Sequence, residues 1–221
     1  MASHPYLALF GPPGVGKGTQ ASRLSSKLSI PHVSTGDIFR ENVRNRTALG
    51  MEANEYMKAG RLVPDDLVVA IVKDRLSKQD AEQGFLLDGF PRTIPQAEAL
   101  HASLRALGRP LAAVLNLKAL DSVVIERISG RRLCKTCGEI YHVIFNPPQV
   151  EGICDRDGET LYQRPDDEPD KVQQRLSEYH SLTKPVLDYY SAQGLVEDID
   201  GEAQVQAVER EILAVVRARC G

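Results

Sequence analysis

Apolar residues along the chain fall into two alternating patterns. Short uninterrupted runs, "YLALF" at 6–10, "GFLLD" at 84–88 and "LAAVLNL" at 111–117, have the length and continuity of buried strands. Between them lie segments whose apolar residues recur every three or four positions. These are 19–30, with Ala21, Leu24 and Leu28, a charge-rich stretch from Ile38 to Ala59 that closes at Gly60, "LVPDDLVVAIVKDRL", "PQAEALHASLRAL" and "LDSVVIERISGR". In "LVPDD" the proline opens a helix, and Asp65 and Asp66 fall in its first turn, where carboxylates favour the helix dipole. "PHVSTGDIF" supplies a brief strand and a helix cap. Late in the chain, "PDKVQQRLSEYHSLTKPVLDYYSAQG" is helical with Pro185 as a kink or boundary, "LVEDID" is a last strand, and "EAQVQAVEREILAVVRARC" is a closing amphipathic helix. This alternation predicts an α/β fold, a parallel sheet flanked by helices. It breaks from Arg131 to about Asp167, where cysteines, glycines and prolines replace periodicity, and an inserted small domain is expected there.

Composition narrows the classes. A chain of 221 residues, 42% hydrophobic and 26% charged, is large enough for one sizeable core with inserted subdomains. A net charge of −3, 5% aromatics and no tryptophan argue against a polybasic nucleic-acid binder or a base-stacking surface. No 18-residue apolar run is present, so no transmembrane helix is expected. The start "MASHPYLALFGPP" lacks the basic region and the apolar length of a signal peptide, so a cytosolic location is expected.

The segment "GPPGVGKGT" has the G-x-x-x-x-G-K spacing of a phosphate-binding loop at Gly11, Gly16 and Lys17. It follows a predicted strand and opens a predicted helix. Glycines let backbone N–H groups turn toward phosphate oxygens, the helix N-terminus adds its positive end, and the lysine reaches the terminal phosphates. The residue after the lysine is Gly18, not the hydroxyl residue that usually holds Mg²⁺, and the hydroxyl comes at Thr19. A carboxylate elsewhere must then help hold the metal. Asp88, at the C-terminal end of a strand, is well placed to do so.

Three of the four cysteines lie between 134 and 154, with Cys220 alone in the tail. Clustering of this kind in a cytosolic chain points to metal. Cys134-x-x-Cys137 and Cys154-x-x-Asp157 form paired knuckles suited to a tetrahedral structural zinc. Asp155 is too close to Cys154 to bind well, and His142 lies outside the knuckle register.

Six segments occur in one order: "GPPGVGKGTQ", "STGDIFR", "GRLVPDDLV", "GFLLDGFPRTIPQA", "GRRLC" and "YQRPDD". Together they resemble the adenylate kinases, in the long form whose lid over the active site carries a metal knuckle. The resemblance implies Mg²⁺-dependent transfer, ATP + AMP ⇌ 2 ADP, by a monomer that binds nucleotides and neither nucleic acid nor membrane. It implies a P-loop core of residues 1–33, 64–129 and 168–221, a small helical AMP-binding insert at 34–63 and a small β-rich lid at 130–167. Phosphate is an anionic acceptor that needs no general base, so catalysis rests on positioning and charge. By resemblance, Lys17, Arg92, Arg127, Arg131, Arg164 and Arg175 are catalytic. ATP is held by Gly14, Val15, Gly16, Lys17, Gly18, Thr19, Arg131, Ile140, Tyr141 and Ala203. AMP is held by Thr35, Arg40, Arg61, Leu62, Val63, Gly89, Phe90, Arg92, Gln96, Arg164 and Arg175, with Gln96 reading the adenine edge. Arg132 and Cys220 receive no role.

Three other classes are considered. The "TIPQA" context of Gln96 favours an AMP kinase over a UMP/CMP kinase of the same fold. The charge balance opposes an ATPase with a zinc-ribbon nucleic-acid binder, and the base-reading "NKxD" of switch GTPases is missing, since "NLKALD" at Asn116 does not fit it.

Overall fold

The uninterrupted apolar runs become the middle of a sheet because both faces are covered by helices, so Tyr6–Phe10, Phe85–Leu87 and Ala113–Leu117 are buried on both sides. The computed structural model describes residues 4–221; the first three residues of the N-terminal segment read above lie outside them. In chain order the elements are β1 (Tyr6–Phe10), α1 (Lys17–Leu28), β2 (His32–Ser34), α2 (Thr35–Arg44), α3 (Ala48–Lys58), α4 (Asp65–Leu76), β3 (Phe85–Asp88), α5 (Ile94–Leu107), β4 (Ala113–Lys118) and α6 (Asp121–Ser129). Then come β5 (Arg131–Cys134), β6 (Ile140–His142), β7 (Leu161–Tyr162), α7 (Pro169–Glu178), α8 (Lys184–Ser191), β8 (Val196–Asp200) and α9 (Val205–Cys220).

Five strands pair in parallel in the order β2-β3-β1-β4-β8. One face packs Tyr6, Ala8, Phe10, Phe85 and Leu87 with Val72, Leu76 and Leu100 of α4 and α5. The other packs Leu7, Leu9, Leu86 and Leu115 with Leu24 of α1 and Ile212 of α9. β1 lies between β3 and β4, so the chain leaves its C-terminal end at a switch in strand order, where α/β sheets open a crevice.

One element differs from the sequence expectation. The charge-rich stretch to Ala59 is two helices rather than one. Arg46 takes a left-handed φ of 52°, and Thr47 caps α3 by accepting from the Gly50 N–H at 3.0 Å. The two helices meet so closely that a Cβ on Gly50 would lie 2.2 Å from the backbone of Asn42. Around Pro185, α7 and α8 are joined by a π-helical turn at Tyr179–Thr183, which absorbs the hydrogen bond that proline cannot make. The segment without periodicity holds a separate antiparallel sheet, β6-β5-β7, with its own small cluster of Cys134, Tyr141, Cys154 and Leu161.

Candidate active site

The glycine loop joins β1 to α1 over the crevice. Gly11, Gly14 and Gly16 all have positive φ, and a Cβ on Gly14 would strike the Ile128 side chain at 2.4 Å. Lys17 folds back over the loop and donates to the carbonyls of Gly11 at 2.6 Å and Pro12 at 2.8 Å. Burial of its ammonium lowers its pKa to about 7, opposed by Asp88 and reinforced by Arg92, Arg175 and Arg131. Asp88 closes β3 beside Gly18, whose Cβ would stand 3.9 Å from its carboxylate. Burial pushes Asp88 up, but the hydrogen bond to His32 at 3.3 Å and the charges of Lys17 and His32 prevail and hold it below the ordinary carboxylate value.

Opposite the loop, five guanidiniums converge from separate parts of the chain: Arg40 on α2, Arg92 after β3, Arg131 on β5, Arg164 after β7 and Arg175 on α7. Burial above all, with Arg175 beside Arg92 and with Arg40 and Arg131 beside Arg164, lowers both to about 10. Burial also lowers Arg175. The Nε of Arg164 is buried with no hydrogen-bond partner. Two aspartates partly neutralise the group. Asp167, 0% exposed, accepts from Arg131 Nε at 2.8 Å and from Arg175 at 3.2 Å, and Asp166 pairs with Arg175 at 2.9 Å. Repelling guanidiniums held this close favour a polyanion between them.

A cavity of about 90 Å³ opens beside these arginines, between the α2–α3 pair and the loop after β3. Thr35, Arg40, Arg61, Leu62, Val63, Gly89, Arg92, Gln96 and Arg175, all expected on the AMP side, line it. Thr35 Oγ1 donates to the Gly89 carbonyl at 2.9 Å, and Arg92 Nε donates to the same oxygen at 2.8 Å. A larger apolar hollow of about 220 Å³ lies between α4 and α5, away from the arginines.

On the small sheet, Cys134, Cys137, Cys154 and Asp157 bring one ligand atom each to within 4.8 Å of one another. The Cys137 and Cys154 sulfurs are 3.5 Å apart, too far for a disulfide, and Cys134 donates to Asp157 at 3.1 Å. Each knuckle turns the same way, with Gly138 N–H donating to the Cys134 carbonyl and Gly158 N–H to that of Cys154. Three thiols and one carboxylate converging like this suit a tetrahedral zinc. Asp155 and His142 lie outside the group. Asp155 accepts from the Gln149 N–H, and His142 packs over Gly130 with its Nε2 3.3 Å from the Glu126 carbonyl.

Comparison with known proteins decides the family. A family model described as adenylate kinase matches residues 9–195. An adenylate kinase of Caldicellulosiruptor bescii is 56% identical over 207 residues, 94% of this chain and 96% of the relative. That of Brevibacillus brevis is 53% identical, covering 96% and 99%, and that of Methanocella arvoryzae is 52% identical, covering 96% and 98%. The chain belongs to the adenylate kinase family.

Several residues singled out by the adenylate kinase resemblance sit differently from the arginine cluster. Arg127 donates to the carbonyls of Val15, Gly201 and Glu202, tying the glycine loop to the turn that bears Ala203. Phe90 is 1% exposed and lines the α4–α5 hollow rather than the cavity beside the arginines. The Tyr141 hydroxyl is 3.6 Å from the Cys154 sulfur and accepts from the Asp155 N–H, so that side chain belongs to the knuckle, and Ile140 precedes it on β6. Among the described residues, Arg132 donates to the carbonyls of Ser129 and Arg131.

Sequence reasoning missed the aspartates. Asp166 and Asp167 directly follow Arg164 and Pro165, and acids set among arginines destined for one site were an available signal. His32 beside Asp88 left no signal. Asp65 stands in the first turn of α4, as expected, but its carboxylate is engaged by Thr93 and Gln96 on α5.

Proposed function

We propose that this chain reversibly transfers the γ-phosphoryl group of ATP to AMP, yielding two ADP. The observation that supports it most is the set of five guanidiniums from separate segments facing Lys17 of the glycine loop, beside a cavity lined by Thr35, Gly89 and Gln96. In this reading Gly14–Thr19 wrap the ATP phosphates with backbone N–H groups. Arg127 sets the loop against the turn at Ala203, where the ATP base would lie, and the backbone of Ile140 and Tyr141 closes from the lid. Arg40 and Arg92 hold the AMP phosphate, and Gln96 reads its base. Phe90 contributes backbone only. Arg131 and Arg175 leave Asp166 and Asp167 and, with the unpartnered Arg164, meet the transferring phosphoryl group, where developing charge is neutralised without a base. Asp88, beside Gly18 and held below the ordinary carboxylate value, would help hold the Mg²⁺ bound with ATP, which would supply charge neutralisation for the phosphates.

The reading includes the division into core, AMP-binding insert and lid, and one structural zinc on Cys134, Cys137, Cys154 and Asp157. A cytoplasmic setting is supported by free thiols grouped around a carboxylate rather than in disulfides. A monomer is included because no step calls on a second copy, and no nucleic acid is required by any. Among the described residues no helix is long and apolar enough to cross a membrane. The test is a coupled assay of ADP formation from ATP with AMP, CMP, UMP and GMP as rival acceptors. AMP should be preferred by far, and equal turnover with CMP or UMP would overturn the assignment.

A further inference from the structure

Gln96 is 2% exposed, and its carboxamide is held at both ends. The Oε1 atom accepts from the backbone N–H of Arg92 at 2.8 Å, and the Nε2 atom donates to Asp65 Oδ1 at 2.7 Å. The second oxygen of Asp65 accepts from Thr93 Oγ1 at 2.8 Å, and Thr93 Oγ1 accepts the Gln96 backbone N–H at 3.3 Å as the cap of α5. A backbone N–H can only donate and an ionised carboxylate can only accept. The oxygen and nitrogen of the amide therefore cannot exchange places without facing donor to donor and lone pair to lone pair.

This matters because a carboxamide turned by half a rotation has nearly the same shape with its polarity reversed. One lone pair on Oε1 and one N–H on Nε2 remain for a ligand. That pair complements adenine, which offers an amino donor at position 6 and an acceptor at N1. It opposes hypoxanthine and guanine, which present an acceptor at position 6 and a donor at N1. We infer that Asp65 is a specificity-determining positioning residue, which sets the choice of a 6-aminopurine over a 6-oxopurine monophosphate by fixing the orientation of the Gln96 amide. The inference rests on the reading above that Gln96 meets the acceptor base. Asp65 itself lies outside the residues lining the cavity.

The test compares kcat/KM for AMP and for IMP, which differs at these two positions without the extra amino group of GMP, in the wild type and in Asp65→Ala, Asp65→Asn and Gln96→Leu. With Asp65→Ala the AMP-to-IMP ratio should fall by about tenfold or more, the effect of losing one charge-assisted hydrogen bond, with most of the change in acceptor KM and none in KM for ATP. Asp65→Asn keeps the shape and can accept from Gln96 in only one of its two orientations, so its ratio should lie between. General loosening of the site would lower both acceptors together. An unmoved ratio in a folded Asp65→Ala, or in Asp65→Asn should the alanine variant fail to fold, overturns the inference if Gln96→Leu does shift the ratio. An unmoved ratio in Gln96→Leu instead places base recognition elsewhere and removes the underlying reading.

Discussion

Lys17 loses a proton above about pH 7 that substrate binding should restore. Burial, with the guanidiniums of Arg92, Arg175 and Arg131, brings its pKa to about 7 against the partial opposition of Asp88. At that value the amine is about 90% deprotonated at pH 8 and about 10% at pH 6. A polyphosphate bound along the loop sets several negative charges beside it and restores the charged form. Binding at pH 8 is therefore expected to draw about 0.9 proton from solution through this residue, and about 0.1 at pH 6. Lys17→Met has nothing to protonate, so the difference between the two proteins isolates the lysine, and the ligand's own titration cancels. Calorimetric titration with ATP in two buffers of unlike ionisation enthalpy measures the uptake. Equal uptake by both proteins at pH 8 would refute the depressed lysine. The same shift has a sign in stability. The folded pKa lies below the ordinary 10.5, so the unfolded chain binds more protons between about pH 7 and 10.5, and this group makes folding more favourable as pH rises through that window.

The purified protein should contain one zinc per chain by elemental analysis. Chelation or Cys134→Ser should lower the melting temperature, whereas Asp157→Cys should retain the metal. Asp167→Ala leaves Arg131 and Arg175 without their shared buried partner and should cost about 3–5 kcal/mol in urea unfolding; a loss under about 1 kcal/mol would deny the pair its structural role. Gly130→Ala sets a Cβ 2.3 Å from the His142 ring and should destabilise by about 1–3 kcal/mol through overpacking, read as a lower melting temperature.

What the sequence reveals here is what lies close together along the chain. Gly11, Gly16 and Lys17 span seven positions and define a loop on their own, and the runs containing Leu7 and Leu86 reveal strands because both sides of them are buried. The break between α2 and α3 was hidden because Arg46 enters left-handed backbone without the glycine that usually marks it, although Thr47 was a legible cap. β7 has two residues, too few for any period to register. Outside the cysteine knuckles, contacts between distant residues left little trace. Asp65 and Gln96 are 31 positions apart, and the first turn of α4 is by itself a sufficient reason for an aspartate at 65. Arg127 was assigned to the nucleotide side by resemblance alone, and its carbonyl partners Gly201 and Glu202 come within reach only once β8 has been placed beside β4.

The pairing of Arg131 with Asp167 joins the two ends of the small sheet's segment, 36 positions apart, at the point where it leaves the core. That closure bears on how the protein comes apart. If heat melts the knuckles first, the segment becomes a ring anchored at both ends, to α6 and α7, with the ion pair drawing its neck together. The packing of α6 on α7, closed by the pair, holds those ends together and restrains the disordered ring by about 3 kcal/mol of closure entropy. Re-forming the knuckles is then a local, concentration-independent event on an intact platform. A calorimetric trace of the metal-free protein should show a small, fully reversible early endotherm ahead of the main one, the behaviour of a region that opens as its own cooperative unit.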